Sequence, residues 1–205
     1  MALQRYLLTL FFTCSCIPSH AQDKTDVANN QPNIISVIPL QFTENGLGFG
    51  GSYERVVDKK GIIAFSLPAS VTFDVANSNR IYDYNTGNYR TGKADAMFYT
   101  MPGIKYYPTS CYGKIKYAAG LSLVIGDGQK SSNLTDLHGL NVTENVQSHF
   151  LAGGMLQNSV NIRAGKNLNI GIELGIGGSV INDVGKVKQD NEFLIQGSFK
   201  VGYRF

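Results

Sequence analysis

The sequence has no tryptophan, only three cysteines and few charged residues. Charged side chains make up 16% of the 205 residues, against about 25% in an average soluble domain, and the net charge is only +3. This balance excludes a polybasic nucleic-acid binder, and the 43% hydrophobic content excludes a disordered chain. After the first twenty residues no apolar run approaches the ~18 residues that cross a bilayer as a helix. The 23 glycines, by contrast, exceed the usual share of about 7%. The length fits one domain of ordinary size.

The amino terminus has the pattern of an export signal. Arg5 precedes an apolar run from Leu7 to Ile17, and Ser19-His20-Ala21 presents small residues where a signal peptidase cleaves. We therefore expect residues 1–21 to be a signal peptide and residues 22–32 to be a short periplasmic segment. A lipoprotein signal at Cys16 is the alternative, but the usual aliphatic residue upstream is missing.

The cysteine count has a consequence once the signal is removed. Only Cys111 remains in the mature chain, so neither an internal disulfide nor a thiolate zinc cluster is expected. Cys111 lies in a turn-like segment, 108–113, and no histidine nearby would activate it as a nucleophile.

A two-residue period runs through the mature sequence and predicts strands with one apolar and one polar face. It is clearest in 168–180 and 192–205, where every second residue is apolar or glycine. The first segment is apolar throughout, so its inward face is ambiguous, and Met101-Pro102-Gly103 predicts a bulge or kink in the fourth. The eight predicted strands are 33–42, 47–57, 62–73, 96–107, 114–125, 148–162, 168–180 and 192–205.

The connections between these segments alternate in length. Residues 58–61, 108–113 and 163–167 are tight turns, whereas 74–95, 126–147 and 182–191 are long and polar; only 43–46 is short where a long loop is expected. In up-and-down topology every second connection lies at the same end. The sequence therefore predicts an all-β, eight-stranded antiparallel barrel over residues 33–205, with one end trimmed and the other elaborated.

Alternation alone does not decide between a soluble ligand-binding barrel and a membrane barrel. Strands of this length match tilted transmembrane strands of ~9–11 residues with their interfacial ends, and the asymmetry of turns and loops matches a membrane barrel. Within the seven strands whose faces are assigned, Arg55 is the only charge on the apolar face, and it lies near a strand end where its guanidinium reaches the headgroups. These features favour a transmembrane β-barrel.

The last strand carries a resemblance to a known family. Phe199, Val201, Tyr203 and the terminal Phe205 stand at alternate positions, which resembles the carboxy-terminal assembly signal of bacterial outer-membrane β-barrels. The Gly-aromatic segments 48–54 and 197–203 are similar to strands of the small OmpX and OmpA-transmembrane type. The resemblance implies a protein of the bacterial outer membrane, with its long loops outside. It also implies membrane lipids and the barrel insertion machinery as partners. The sequence departs from the family in having no Trp, which leaves Tyr and Phe to form the interfacial girdles.

Charged residues on the polar face are expected to lie in the lumen and to pair there. The predicted lumen network contains Glu54, Lys116, Glu173, Lys200 and Arg204, with Lys114 also facing inward, and strand pairing places Glu173 near Lys200. A polar permeation path is the functional alternative, although a barrel of eight strands is filled by its own side chains.

The sequence offers no catalytic constellation. The histidines are His20, His138 and His149, and Ser148 adjoins His149 so that their side chains point to opposite faces. No catalytic residue, cofactor site or metal site is therefore predicted, and Gly126-Asp127-Gly128 is interpreted as a turn rather than part of a calcium loop. A lipid-modifying enzyme similar to lipid A deacylases remains the enzymatic alternative.

The segment 74–95 is the best candidate for recognition, because it combines residue types that dominate binding interfaces. The residues concerned are Arg80, Tyr82, Tyr84, Tyr89 and Arg90. The expected function is an outer-membrane barrel with a structural or surface-interaction role. We expect it to be a monomer with an unidentified extracellular ligand; a narrow channel for small solutes is the alternative.

Overall fold

The computed structural model describes residues 31–74, 80–83, 88–91, 95–135 and 142–205. Its elements are β1 (Asn33–Thr43), β2 (Gly46–Val56), β3 (Ile63–Phe73), β4 (Arg80–Asp83), β5 (Asn88–Thr91), β6 (Ala96–Thr100), β7 (Gly103–Tyr106), β8 (Ile115–Thr135), β9 (Val142–Ala164), β10 (Leu168–Val184), β11 (Val187–Lys188) and β12 (Phe193–Arg204). Within these ranges no helix is long and apolar enough to cross a membrane. The predicted signal peptide lies outside the described residues.

The long strands close into an antiparallel barrel, which confirms the predicted fold class. Each strand pairs with its neighbour in sequence, with β6 and β7 together forming the fourth strand of the ring. The ring is closed by β1 pairing with β12, where Asn33 and Phe205 exchange backbone hydrogen bonds of 3.0 and 2.9 Å. Eight strands, counted over the described part of the chain, therefore form the wall.

Apolar side chains cover the outside of this wall, because the two-residue period places every second residue outward. Their exposure is high: Leu121 is 66% exposed and Phe193 65% exposed, whereas Leu194 beside it is fully buried. Aromatic residues form two outward rows near the two ends of the strands. These are Phe65, Tyr106, Tyr203 and Phe205 at one end, and Phe42, Phe49, Phe98, Phe150 and Phe193 at the other.

Two irregularities interrupt the period. In β1 the register shifts at Ile38 to Leu40, so that Ile38 and Gln41 both face inward although they differ in parity. The bulge at Pro39 changes the parity of the inward positions within β1, whose apolar sequence alone left the inward face ambiguous. The second irregularity separates β6 from β7 at Met101 and Pro102, where a kink was predicted.

The two ends of the barrel differ. The turn end carries the connections 57–62, 107–114 and 165–167 together with Phe205; the loop end carries the β1–β2 turn, the hairpin β4–β5 and β11. At the turn end the Asp58 carboxylate accepts backbone N–H groups of Ile63, Ile62 and Lys60 at 2.7, 2.8 and 3.1 Å. The hydrogen bond from Ile63, followed by those from Ile62 and Lys60, holds the pKa of Asp58 below its usual value.

The loop end corrects the predicted strand boundaries. Strand β8 runs to Thr135 and β9 begins at Val142, so most of the segment 126–147 is strand rather than loop. The segment 74–95 contains the hairpin β4–β5, and 182–191 contains the end of β10 and β11. Periodicity missed these extensions because, outside the bilayer, neither face of a ribbon needs to be apolar.

Candidate functional site

Four charged side chains meet inside the barrel and form what we call the lumen cluster: Glu54, Lys105, Glu173 and Lys200. Lys105 Nζ lies 2.6 Å from Glu173 Oε2 and 3.3 Å from Glu54 Oε2, and Lys200 Nζ lies 2.8 Å from Glu173 Oε1. The Tyr107 hydroxyl donates to Glu54 Oε1 at 2.6 Å. The cluster is therefore a chain of alternating charges that ends on a phenol.

Each member of the lumen cluster comes from a different strand: β2, β7, β10 and β12. Side chains alternate between the two faces of a strand. The neighbours of these four residues, among them Arg55 and Ile104, face outward, so the four charged side chains all face the lumen. All four residues are less than 9% exposed. Two ammonium groups balance two carboxylates, so the cluster is neutral, as buried charges require.

Two residues of the predicted network lie elsewhere. Lys116 is buried and donates to the side-chain oxygen of Asn169 rather than to a carboxylate. Arg204 lies at the turn end, where it donates to the carbonyl oxygen of Cys111 at 2.9 Å and stands 5.5 Å from the centre of the Tyr112 ring. The structure thus brings Glu54, Glu173 and Lys200 together and gives Lys116 and Arg204 other partners, Asn169 and Cys111.

Sequence reasoning missed Lys105 and misplaced Lys114. Lys105 lies between the outward residues Ile104 and Tyr106, which was the signal for an inward position. The alternation of polar and apolar residues did not reveal the inward face of this strand, because its other inward residues, such as Met97 and Tyr99, are not charged. Lys114 is exposed at the turn end, because β8 begins only at Ile115, so the expectation that it faces the lumen was wrong.

The lumen is layered, and β12 shows the order. From the loop end to the turn end its inward residues are Leu194, Gln196, Ser198, Lys200, Gly202 and Arg204. Around Leu194 packs an apolar cluster, which the predicted polar lumen did not include: Met97, Tyr99, Met101, Val124, Leu151 and Met155. Tyr99 closes this layer by donating to Glu44 Oε1 in the β1–β2 turn at 3.1 Å. Large side chains therefore fill the interior from both ends.

The described histidine and cysteine are both engaged in structural contacts. His149 is 1% exposed, and its Nε2 lies 2.9 Å from the Asn182 side-chain oxygen. Cys111 is fully buried, and this desolvation raises the pKa of its thiol, which disfavours the reactive thiolate. In the described ranges no group of three or more His, Cys, Asp or Glu side chains is arranged to hold a metal ion. His138 lies outside those ranges.

The candidate recognition residues fall on the hairpin β4–β5. Tyr82 and Tyr89 are direct register partners, Arg80 pairs with Thr91, and Arg90 pairs with Ile81. Tyr84 lies outside the described residues. The backbone thus places the two tyrosines opposite each other and the two arginines at different rungs.

The residues of the predicted assembly signal lie at alternate positions on β12 and, for Phe205, directly after it. Phe199, Tyr203 and Phe205 are 38%, 55% and 49% exposed, and Val201 is half-buried between them. They form one apolar stripe beside the seam between β1 and β12.

Comparison with known proteins identifies the fold. Neither a protein-family description nor a curated protein sequence matches this chain. The N-terminal β-barrel domain of Pseudomonas aeruginosa OprF is similar over 85% of this chain and 98% of that domain, with 10% identity and a TM-score of 0.53. A major outer membrane protein from Thermus thermophilus is similar over 84% of this chain and 99% of its own length, with 12% identity and a TM-score of 0.57. The chain therefore shares the β-barrel fold of these two bacterial outer-membrane proteins, and an exposed apolar wall is the surface that a transmembrane barrel presents to lipid.

Proposed function

We propose that this protein is an integral outer-membrane barrel that acts as a surface-exposed structural or interaction protein through its loop end. The observation that carries the proposal is the ribbon formed by β8 and β9 beyond the ring. Their pairing continues for seven rungs, from Gln129 opposite Ser148 to Thr135 opposite Val142. At about 3.4 Å per residue the ribbon extends roughly 20 Å past the wall.

Among the described residues, the ring strands beside β8 and β9 do not pair with the ribbon, although β4 contacts β9. β6 stops pairing with β8 at Gly128, and β10 stops pairing with β9 at His149. The Asp95 carboxylate accepts the backbone N–H of Ser131 at 2.7 Å and so supports the base of the ribbon. Open strand edges bind partner strands by backbone hydrogen bonding, which is a recurrent mode of peptide recognition.

The first experiment tests the barrel in its membrane. Fractionated cells are expected to retain the protein in the outer membrane, and its mobility on a gel is expected to change on boiling, because a folded barrel resists detergent until heated. A protein that stays soluble, or that migrates identically with and without boiling, would overturn the proposal.

The second experiment tests the role of the ribbon. Residues 132–145 are replaced by an Asn-Gly turn, so that the register partners Ser131 and Val146 flank a two-residue hairpin. We expect the shortened barrel to keep its heat-modifiable mobility but to fail to restore the surface properties of a strain that lacks the protein. Full restoration by the shortened chain would contradict a role for the ribbon.

Two other functions have distinct readouts. A narrow channel would give discrete conductance steps in a planar bilayer; we expect none, because the apolar cluster around Leu194 and the contacts of Arg204 fill both ends of the lumen. A lipid-modifying enzyme would change the mass of lipid A on expression, and we expect that mass to stay the same.

We further propose that the barrel insertion machinery recognises the stripe formed by Phe199, Val201, Tyr203 and Phe205. Deletion of Phe205 is expected to lower the amount of folded protein in the membrane without changing its synthesis. The exposed position of Phe205 beside the seam supports this assignment.

A further inference from the structure

The outer wall carries an apolar groove. It has a volume of about 890 Å³ and lies over β3, β7, β8 and β9. Its walls are apolar, and its principal lining residues are Phe65, Ile104, Tyr106, Leu121, Leu123 and Leu156. The groove exists because Gly154 faces outward with no side chain: a Cβ built there would meet no atom within 4 Å.

The groove lies within the depth of one membrane leaflet. Its residues Phe65 and Tyr106 lie close to the turn end, and on β8 its lining runs from Ala119 to Leu123. The four residue steps from Ala119 to Leu123 span about 13 Å along a strand. With a strand tilt of about 40° this corresponds to roughly 10 Å along the membrane normal. The groove is therefore shorter than one leaflet of a bilayer whose hydrocarbon core is ~30 Å thick.

Cationic side chains lie at the lower end of the groove. Arg55 faces outward and is the direct register partner of Phe65, which lines the groove. Lys59, Lys60 and Lys114 are exposed in the two adjoining turns.

The two turns that carry these lysines are joined to each other, so their charges form one rim. Ser110 donates its hydroxyl to the carbonyl oxygen of Lys60 at 2.8 Å, and the N–H of Cys111 donates to the carbonyl oxygen of Gly61 at 2.7 Å. The acidic residue in these turns is Asp58, and its carboxylate accepts hydrogen bonds from three backbone N–H groups, those of Lys60, Ile62 and Ile63. Four exposed cationic residues, Arg55, Lys59, Lys60 and Lys114, therefore lie at the turn end below the groove.

From this combination we infer that the groove binds one anionic phospholipid of the leaflet at the turn end, with an acyl chain over Gly154 and its phosphate against Arg55. The inference rests on the proposed membrane barrel and adds a specific lipid site to it. The apolar lining would contact the acyl chain of the lipid. The Arg55 guanidinium would favour an anionic headgroup, because arginine binds phosphate oxygens in a bidentate manner. A zwitterionic lipid shares the chain but offers no net negative charge to the rim.

Two glycines make a matched pair for the test. Gly154→Leu fills the groove, and the backbone accepts the side chain because the Cβ meets nothing. Gly178 is the register partner of Gly154, its Cβ would make only an ordinary contact of 3.8 Å with Glu192, and it does not line the groove. Gly178→Leu is therefore the control for adding a leucine to the same wall. Arg55→Gln removes the charge and leaves the groove intact.

The readout is native mass spectrometry of the detergent-solubilised, heat-modifiable protein titrated with phosphatidylglycerol or phosphatidylethanolamine of equal chain length. The wild type and Gly178→Leu are expected to bind one phosphatidylglycerol about tenfold more tightly than phosphatidylethanolamine. Gly154→Leu is expected to lose both lipids, and Arg55→Gln to keep both but lose the preference.

Equal binding of both lipids by the wild type, or unchanged binding by Gly154→Leu, would reduce the groove to ordinary lipid contact and overturn the inference. A doubled mass with no lipid would assign the groove to a second copy of the chain, and selective retention of lipid A would assign it to the opposite leaflet; both results overturn it. If the protein shows no heat-modifiable form at all, the failure belongs to the membrane barrel and not to the lipid site.

Discussion

At the scale of single residues, Lys105 joins the two carboxylates of the lumen. It lies within 3.3 Å of both Glu54 and Glu173, whereas Lys200 contacts only Glu173 among the ion pairs of the described residues. Removing Lys105 would leave two buried carboxylates with a single ammonium between them. The cost of a buried charge without a partner is larger than the net gain of the pair itself.

Lys105→Met is therefore expected to destabilise the barrel by about 3–5 kcal/mol, because methionine retains the volume but not the charge. The free energy of unfolding is measured by urea titration in lipid vesicles. Lys188→Met, at an exposed position in β11, is the control and should change stability by less than about 0.5 kcal/mol. If Lys105→Met lowers the free energy of unfolding by less than ~1 kcal/mol, water rather than Lys105 solvates the two carboxylates of the lumen cluster.

At the scale of elements, the seam between β1 and β12 depends on one aromatic ring lying over one glycine. Phe42 and Gly197 are register partners, and a Cβ at Gly197 would collide with the Phe42 ring. An aromatic ring over a glycine of the neighbouring strand fills the gap in the wall and fixes the register. The seam matters more than other strand pairs, because it alone joins residues from the two ends of the barrel sequence.

We expect Gly197→Ala to destabilise the barrel by about 1–3 kcal/mol, since the ring must move aside. Phe42→Ala removes the ring, so adding Gly197→Ala to it should cost little, and the two changes should be coupled by at least ~1 kcal/mol in a double-mutant cycle. Gly154→Ala, an outward glycine with open space, serves as the reference for adding a methyl group. Strict additivity of the two changes would show that the contact does not hold the seam.

The elements also show where sequence reasoning succeeds and where it ends. Inside the bilayer, lipid outside and polar side chains inside impose alternation, so 168–180 and 192–205 were assigned to the correct faces. The period fails where this contrast disappears: in the apolar layer around Met97 and Tyr99, at the bulge of Pro39, and in the polar ribbon beyond Gly128. The contacts of Lys105 were beyond prediction because they depend on the relative height of four strands, which no single strand specifies.

At the scale of the whole molecule, the charges of the two ends differ in sign. The described turn end carries the exposed cations Lys59, Lys60, Lys114 and Lys166, with Asp58 as its acid. The loop end has more acids than bases among its described residues. The acids are Glu44, Asp74, Asp83, Asp95, Asp127, Glu144, Asp183, Asp190 and Glu192, and the bases are Arg80, Arg90, Lys130, Lys186 and Lys188. Short turns on the periplasmic side are the rule for bacterial barrels. We therefore expect the basic turn end to face the periplasm.

Cysteine labelling on intact cells tests this orientation. Cys111 is fully buried, so the folded wild type should not react with a membrane-impermeant maleimide, and it is the background control. Lys188→Cys at the loop end is expected to label on intact cells, whereas Lys59→Cys at the turn end should label only after the outer membrane is permeabilised. Because both parent lysines are exposed, a difference in labelling reports the side of the membrane and not burial. The reverse pattern would place the basic rim outside and move the lipid groove to the outer leaflet.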